Sequence, residues 1–322
     1  MPCTVRSFAK INIGLSIGPA RADRFHELRT IYQTIAINDV IRVDVKPGAG
    51  IEIRCKDPRV PTDETNTCYR TADRVLRFLK QRSKVVITIE KNLPVQGGIG
   101  AGSANAVATM FGLQRCLKAD IPAHEMLRMA SEVGSDLPLF LLGGTVLGCG
   151  HGEEVYPLPD LPPLPLVLVT PSVAVSTPQA FKDWDVLAAR ELTANGPSAT
   201  MNEFSRLAFE WLSGMTSSGV PVESDGNRAE TLLLDLVRTG IANDFERVVF
   251  PQYPELRDMK RALEREGASY ASLSGSGSSV YGLFRTPDAA TRCAEKLNAE
   301  GIAALATQTL PRSDYRNQLF TK

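Results

Sequence analysis

Long apolar runs are missing from this sequence of 322 residues. No segment approaches the roughly 18 consecutive apolar residues that a membrane helix needs. The first residues, MPCTVRSFAKINIG, also lack the apolar centre of a signal peptide. The sequence therefore predicts a soluble, cytoplasmic protein that has no membrane partner.

An excess of charge of either sign is missing too. Lysine and arginine together number 36, and so do aspartate and glutamate. Proteins that bind nucleic acid usually carry a basic excess or a basic stripe. We therefore expect no nucleic-acid partner.

Closely spaced pairs of cysteines are also missing. The six cysteines are scattered, and none forms a C-x-x-C pair. This pattern argues against a zinc site and against a disulfide framework, and it is typical of a reducing cytoplasm. We expect most of these cysteines to act as small buried apolar side chains.

The apolar pattern indicates both strands and helices. Alternating apolar residues predict strands, and apolar residues at helical spacing predict helices. In the first half, strands are predicted at 5–17, 41–45, 51–55 and 84–91, and helices at 64–82, 103–117 and 123–133.

A change of composition divides the chain. Four prolines between Tyr156 and Leu166 predict a stiff connection, so we expect an N-terminal domain at 1–160 and a C-terminal domain at 161–322. For the second half we predict strands at 166–171 and on both sides of a glycine turn within 269–284, loops at 191–204 and 217–227, and a last helix at 286–301.

A glycine-rich turn, KNLPVQGGIGAGSANA, begins at Lys91 and leads into a predicted helix. Ser103 stands where a Walker A loop needs lysine and where a dinucleotide fingerprint needs its third glycine, which excludes both. Such a turn before a helix still offers free N–H groups and a positive dipole end to an anion. Ser103 either caps that helix or donates its hydroxyl to a phosphate or to Mg²⁺.

Two charged residues lie in apolar surroundings. Asp136, in GSDLP, precedes an apolar run and is a candidate general base, a helix cap or a member of a buried ion pair. Lys10 lies within a strand between apolar neighbours, where an unpaired ammonium is costly. Asn12 shares its face of the strand. A second glycine turn, SGSGSS at 274–279, suits either a hairpin or a phosphate.

These features together resemble the GHMP kinase superfamily, the kinases of galactose, homoserine, mevalonate and phosphomevalonate. The likeness extends to the branch that phosphorylates 4-diphosphocytidyl-2-C-methyl-D-erythritol in the non-mevalonate isoprenoid pathway. It rests on six ordered blocks, which are AKINIGL at 9–15, DRFHELRT at 23–30, LPVQGGIGAGSANA at 93–106, GSDLPLFLLGGTVLGCGHGE at 134–153, NDFERVVFPQYPEL at 243–256 and SLSGSGSSVYGLF at 272–284.

The resemblance implies an α+β fold of two domains with the active site in the cleft between them, acting as a monomer or a homodimer. Asp136 would deprotonate the substrate hydroxyl beside Lys10, Asn12 would bind the methylerythritol end, and Ser103 would contact Mg²⁺. His26 would read the edge of cytosine, and Phe25 and Phe181 would stack on the two faces of the cytosine ring. The residues implied for ATP binding are Pro94, Gly97, Gly98, Gly100, Gly102, Ser103, Asn66, Lys91 and Asn105.

Several positions depart from the family pattern or lack a role in it. Phe25 replaces a usual tyrosine, and Gln96, Ala101 and Ala104 replace common loop residues. Because alanine resists positive φ, we expect Ala101 to change the shape of the loop. His124 and His151 are expected to be surface or structural residues. Two alternatives stay open, namely another small-alcohol kinase of this superfamily and a catalytically silent nucleotide-binding protein on the same fold.

Overall fold

The computed structural model describes residues 2–23, 25–95, 97–191, 196–213, 235–236 and 238–321, with the backbone alone at 191, 196–200 and 210–213. Two β-sheets, one formed by the first half of the chain and one by the second, pack with helices. This architecture confirms the predicted α+β class.

The first sheet has six strands in the order β3-β4-β2-β5-β6, with β1 paired to β2. Only the β3–β4 pair is parallel. In the long β1–β2 hairpin, Lys10 lies opposite Thr34 and Asn12 lies opposite Tyr32. Because side chains alternate along a strand, this register puts Lys10, Asn12 and Tyr32 on one face. The strands are β1 Cys3–Ala20, β2 His26–Lys46, β3 Gly50–Cys55, β4 Lys84–Glu90, β5 Thr145–Cys149 and β6 Glu154–Pro157.

Four helices accompany this sheet. The first begins where Oδ1 of Asn66 accepts a hydrogen bond from the Cys68 amide at 2.8 Å, an N-cap contact. The second packs against β1 and β2 and follows the glycine-rich turn directly. These helices are α1 Thr67–Phe78, α2 Ala101–Leu117, α3 Ala123–Val133 and α4 Leu137–Leu142.

The second sheet has four antiparallel strands in the order β10-β7-β9-β8. Strands β8 and β9 form the predicted hairpin around the second glycine turn. The elements of this half are β7 Pro165–Val169, α5 Thr177–Glu191, α6 Gly196–Ser213, α7 Glu246–Gln252, α8 Pro254–Arg265, β8 Tyr270–Leu273, β9 Val280–Leu283, α9 Pro287–Ala299, β10 Ala304–Gln308 and α10 Arg312–Gln318.

Two predictions for this half were wrong. Residues 196–204, predicted as loop, belong to α6, because Met201, Phe204 and Ala208 recur at helical spacing and are buried. The helix at 286–301 is not the last element, since β10 and α10 follow it. The predicted loop at 217–227 and the departure at Gln96 lie outside the described residues. Within the described ranges, no helix combines the length and apolar character needed to cross a membrane.

Candidate active site

A cavity of about 560 Å³ lies between the two halves of the protein. Strands β1 and β2 and the start of α4 form one wall, and α5 forms another. Both glycine turns border it, through Gly98 and Gly275. Seven predicted site residues line this single cavity, which are Lys10, Asn12, Phe25, His26, Gly98, Asp136 and Phe181.

An ion pair lines this cavity. Nζ of Lys10 lies 3.4 Å from Oδ2 of Asp136 and donates a hydrogen bond to Oδ1 of Asn12 at 2.7 Å. Lys10 is only 3% exposed, whereas 35% of the Asp136 side chain is accessible. The buried ammonium is thus paired and hydrogen-bonded, as a buried charge must be, and the carboxylate can be reached from the cavity. Asn12 in turn donates to Thr30 at 2.8 Å.

Tyr32 completes the contacts of this carboxylate. Its hydroxyl donates to Oδ1 of Asp136 at 3.2 Å, and Nζ of Lys10 lies 5.4 Å from its ring centre. Burial, and then the neighbouring Asp136, raise the pKa of Tyr32 well above its usual value. The phenol therefore remains a hydrogen-bond donor at neutral pH. The sequence did not single out Tyr32, because an aromatic residue within a strand is ordinarily a packing residue.

Aromatic rings also line the cavity. The ring of Phe181 stacks on His26, with centres 5.0 Å apart and planes at 12°. Nε2 of His26 lies 2.7 Å from Oδ1 of Asp185. Phe25 is 55% exposed and packs against His151 at 4.9 Å between ring centres.

His151 therefore lines the cavity, and its Nδ1 lies 2.7 Å from Oγ of Ser135. His124, in contrast, has 79% of its side chain exposed. The sequence assigned neither His151, although it lies in the block at 134–153, nor Asp185 to the cavity, since each reaches it only through the fold.

The first glycine turn is built on positive φ angles. Gly97, Gly98 and Gly100 have φ of 128°, 74° and 70°, conformations that residues with a Cβ atom avoid. Ala101 is the first residue of α2 and takes no positive φ, because the positive φ of this turn falls on Gly100, which has no Cβ atom. Gly100 is also the N-cap, and no side chain caps the helix. Ser103 lies inside the first turn of α2, which excludes the alternative that it caps the helix.

The two glycine turns contact each other. The Ser279 amide donates to the Gly97 carbonyl at 3.1 Å, and the Ser274 hydroxyl donates to the Gly98 carbonyl at 3.0 Å. A Cβ atom on Gly98 would lie 2.0 Å from the Ser274 carbonyl oxygen. A neighbouring cavity of about 550 Å³ is lined by Gly97, Gly98 and Gly277 together with residues 174–177. The turns thus form one continuous surface of backbone groups.

A smaller cavity of about 190 Å³ lies beside the start of α2 and is lined by four of the predicted ATP-binding residues, Asn66, Lys91, Gly102 and Asn105. Lys91 pairs with the buried carboxylate of Asp39. Oδ2 of Asp39 also accepts a hydrogen bond from Asn105 at 3.1 Å, and its Oδ1 accepts from the Leu93 amide at 2.8 Å. This network fixes the chain just before Pro94, which itself lies outside the three cavities.

Comparison with known proteins places the chain in a family. The family described as GHMP kinases N terminal domain matches residues 66–144, and GHMP kinases C terminal matches residues 228–303. In fold, the chain is similar to homoserine kinase from Cytophaga hutchinsonii, with a TM-score of 0.71 at 19% identity, covering 96% of this chain and 95% of that one. Fold and matched domains together define a protein of the GHMP kinase class.

Proteins with higher sequence identity to this chain identify the family within this class. The chain is 34% identical over 296 residues to the 4-diphosphocytidyl-2-C-methyl-D-erythritol kinase of Solibacter usitatus, covering 92% of this chain and 85% of that relative. A crystal structure of 4-(cytidine 5'-diphospho)-2C-methyl-D-erythritol kinase matches with a TM-score of 0.70 at 28% identity, covering 95% of this chain and 98% of the other. The chain belongs to the family of 4-diphosphocytidyl-2-C-methyl-D-erythritol kinases.

Proposed function

We propose that this protein transfers the γ-phosphoryl group of ATP to the 2-hydroxyl of 4-diphosphocytidyl-2-C-methyl-D-erythritol, a step in the synthesis of isoprenoid precursors. One observation carries the proposal. A single cavity is lined both by the Lys10–Asp136 pair and by the stacked His26 and Phe181 rings. An alcohol linked to a nucleoside diphosphate offers matching groups, a hydroxyl that needs a general base and a flat nucleobase that can stack on aromatic rings.

At the alcohol end, Asp136 acts as the general base. Its exposed carboxylate takes the proton from the 2-hydroxyl as the oxygen attacks phosphorus. Lys10 and Tyr32 contact different oxygens of this carboxylate, which fixes its orientation. The Lys10 ammonium also offsets the negative charge of the transferring phosphoryl group. Asn12 binds the methylerythritol end.

At the nucleoside end, His26 reads the edge of cytosine, and Phe25 and Phe181 supply the stacking surfaces. Flat rings give a large contact area at a small loss of rotamer entropy. All three residues line the cavity, which supports this assignment. His151 contributes by packing against Phe25.

ATP is held beside the alcohol. The free N–H groups at the start of α2 and the backbone of both glycine turns suit phosphate oxygens. A Cβ atom on Gly275 would lie 3.6 Å from Nζ of Lys10, so the second turn adjoins the catalytic pair. The smaller cavity around Asn66, Lys91 and Asn105 takes the nucleoside.

Mg²⁺ accompanies the nucleotide in this proposal. The described residues contain no group of three or more His, Cys, Asp or Glu side chains that could hold a metal ion. The hydroxyl of Ser103 offers a hard oxygen ligand of the kind that Mg²⁺ prefers, and Mg²⁺ usually shares its coordination with substrate phosphates. When bound, the ion neutralises phosphate charge. Ser103 is the residue that we propose to contact it.

The division into domains at 1–160 and 161–322 is part of the proposal, supported by a separate sheet in each range. A cytoplasmic location agrees with six free cysteines. We propose that the enzyme acts there as a monomer or a homodimer.

The experiment is ADP release by the purified protein with ATP and Mg²⁺, measured with and without 4-diphosphocytidyl-2-C-methyl-D-erythritol. The proposal predicts release that depends on this substrate and collapses in Asp136→Ala. Release with mevalonate, homoserine or galactose instead would identify another small-alcohol kinase. ATP binding without release for any alcohol would identify a silent nucleotide-binding protein.

A further inference from the structure

Asp185 lies one helical turn after Phe181 on α5. Residues four apart share a face of a helix, so both side chains meet the same imidazole. Phe181 stacks on the ring of His26, and Oδ1 of Asp185 lies 2.7 Å from its Nε2. His26 is therefore held both at its face and at one of its two nitrogens.

The chemistry of this contact selects a tautomer. An ionised carboxylate can only accept hydrogen bonds, so Nε2 must carry the proton. In the neutral imidazole, Nδ1 is then an acceptor. Nδ1 of His26 has no hydrogen-bond partner among the described residues. Its acceptor capacity is available to a ligand in the cavity that His26 lines.

We propose that Asp185 is a positioning residue that makes the site choose cytosine over uracil. Cytosine presents an amino donor at its 4-position, whereas uracil presents a carbonyl acceptor there. A His26 fixed with Nδ1 as an acceptor pairs with the amino group and faces the carbonyl with a second acceptor. This inference rests on the proposed function, because it assigns a cause to the base preference of that site.

A purely structural role for Asp185 makes a different prediction. Asp185 is 56% exposed on its side chain and sits at the rim of the cavity. If it served only to hold α5 in place, its loss would weaken binding of both bases equally. The preference between the bases is therefore the informative quantity, and affinity alone is not.

The test compares kcat/KM for the cytidine substrate and for its uridine counterpart in Asp185→Asn. Asparagine has nearly the same shape, and its amide can donate to Nε2, which permits the other tautomer. We expect the preference for cytidine to fall by about tenfold, the effect of one hydrogen bond, mainly through KM with kcat little changed. An unchanged preference would overturn the inference.

Asp183→Asn is the matched control. Asp183 lies on the same helix and accepts hydrogen bonds from Gln179 and Gln252 at 2.9 and 2.7 Å, and it does not line the cavity. This variant removes the same charge from the same helix and should keep the full preference. An equal loss in both variants would attribute the effect to helix charge and overturn the role of Asp185.

The tautomer can also be observed directly by ¹⁵N NMR, since the chain has only three histidines. We expect His26 to be protonated at Nε2 in the wild-type protein and to populate the Nδ1-protonated form in Asp185→Asn. Protonation at Nδ1 in an active wild-type enzyme would refute the role of Asp185 and leave the proposed function intact. Absence of turnover with the cytidine substrate would instead refute the proposed function, together with the base preference that depends on it.

Discussion

Nζ of Lys10 lies 3.4 Å from Oδ2 of Asp136, a contact that joins β1 to the residue preceding α4. The strand supplies the buried cation, and the loop supplies a carboxylate that remains accessible. Their asymmetry in burial supports the proposed roles, because a base must reach its substrate whereas a fixed charge need not.

Replacing Asp136 by asparagine tests the base. Asparagine keeps the shape and cannot accept the proton, so we expect kcat to fall by about 10²–10⁴-fold with little change in KM for ATP. Steady-state kinetics of ADP release provide the measurement. Asp183→Asn, which lies outside the cavity, should retain full activity. Nearly normal kcat in Asp136→Asn would exclude Asp136 as the base.

Tyr32→Phe removes the hydroxyl that contacts Oδ1 of Asp136. Because hydrogen bonds to charged groups contribute about 1.5–3 kcal/mol, we expect kcat to fall by roughly tenfold or more while the fold is retained. Kinetics and circular dichroism of the variant check both points. If kcat is unchanged, Tyr32 does not orient the base.

Four tyrosines, three buried and one partly buried, predict a loss of stability at alkaline pH. Burial is the first cause that raises the pKa of each phenol above its usual value. The unfolded chain therefore ionises first, near pH 10, and the free energy of unfolding falls as pH rises above that value. Ultraviolet titration should show these four phenols ionising only as the protein unfolds, and early ionisation in the native state would contradict this. They are Tyr32, Tyr270, Tyr281 and Tyr315.

Gly98→Ala tests the contact between the two glycine turns. With φ of 74° and a Cβ position 2.0 Å from the Ser274 carbonyl oxygen, alanine should lower the free energy of unfolding by about 1–3 kcal/mol and weaken ATP binding.

Gly102→Ala is the control for stability. Gly102 is helical, and its nearest contact would be 3.8 Å away, so alanine there should raise stability by about 0.5–1 kcal/mol. Chemical denaturation of both variants measures the difference. Equal stability of the two variants would show that the close contact between the two glycine turns does not stabilise the fold.

His26→Ala tests the nucleoside end. Loss of the ring that Phe181 stacks on should raise KM for the cytidine substrate by at least tenfold, because both the stacking and the edge contact disappear. His124→Ala, at an exposed histidine, should leave KM unchanged. Initial rates at varied substrate provide the comparison. An unchanged KM in His26→Ala would favour a kinase of a small alcohol without a cytidine group.

Local sequence patterns predicted the helices and strands whose own residues show a regular apolar spacing. Helix α3 begins and ends at the predicted residues, 123 and 133, and β4 coincides with the predicted strand to within a residue. Helix α10 was missed because only Tyr315 among its residues is buried, so it has no apolar stripe. Turn-forming residues at 195–198 concealed the start of α6, where Pro197 instead occupies the first turn.

The site residues also divide into those that the local sequence indicates and those that it does not. Lys10 and Asp136 were found from the sequence because a charge among apolar neighbours is locally conspicuous. Asp185 was not found from the sequence, because the contact that gives it a role is with His26, which is distant in the chain and adjacent in space. The tautomer that Asp185 selects is a property of the pair, and no single segment of the sequence contains it.

The central claim is the identity of the phosphorylated atom. ³¹P NMR and mass spectrometry of the product formed from ATP and 4-diphosphocytidyl-2-C-methyl-D-erythritol test it most directly. We predict one new phosphomonoester on the 2-hydroxyl, with the diphosphate bridge intact and one ADP formed per product. Inorganic phosphate as the only new phosphorus species, or a phosphomonoester at another position, would contradict the account.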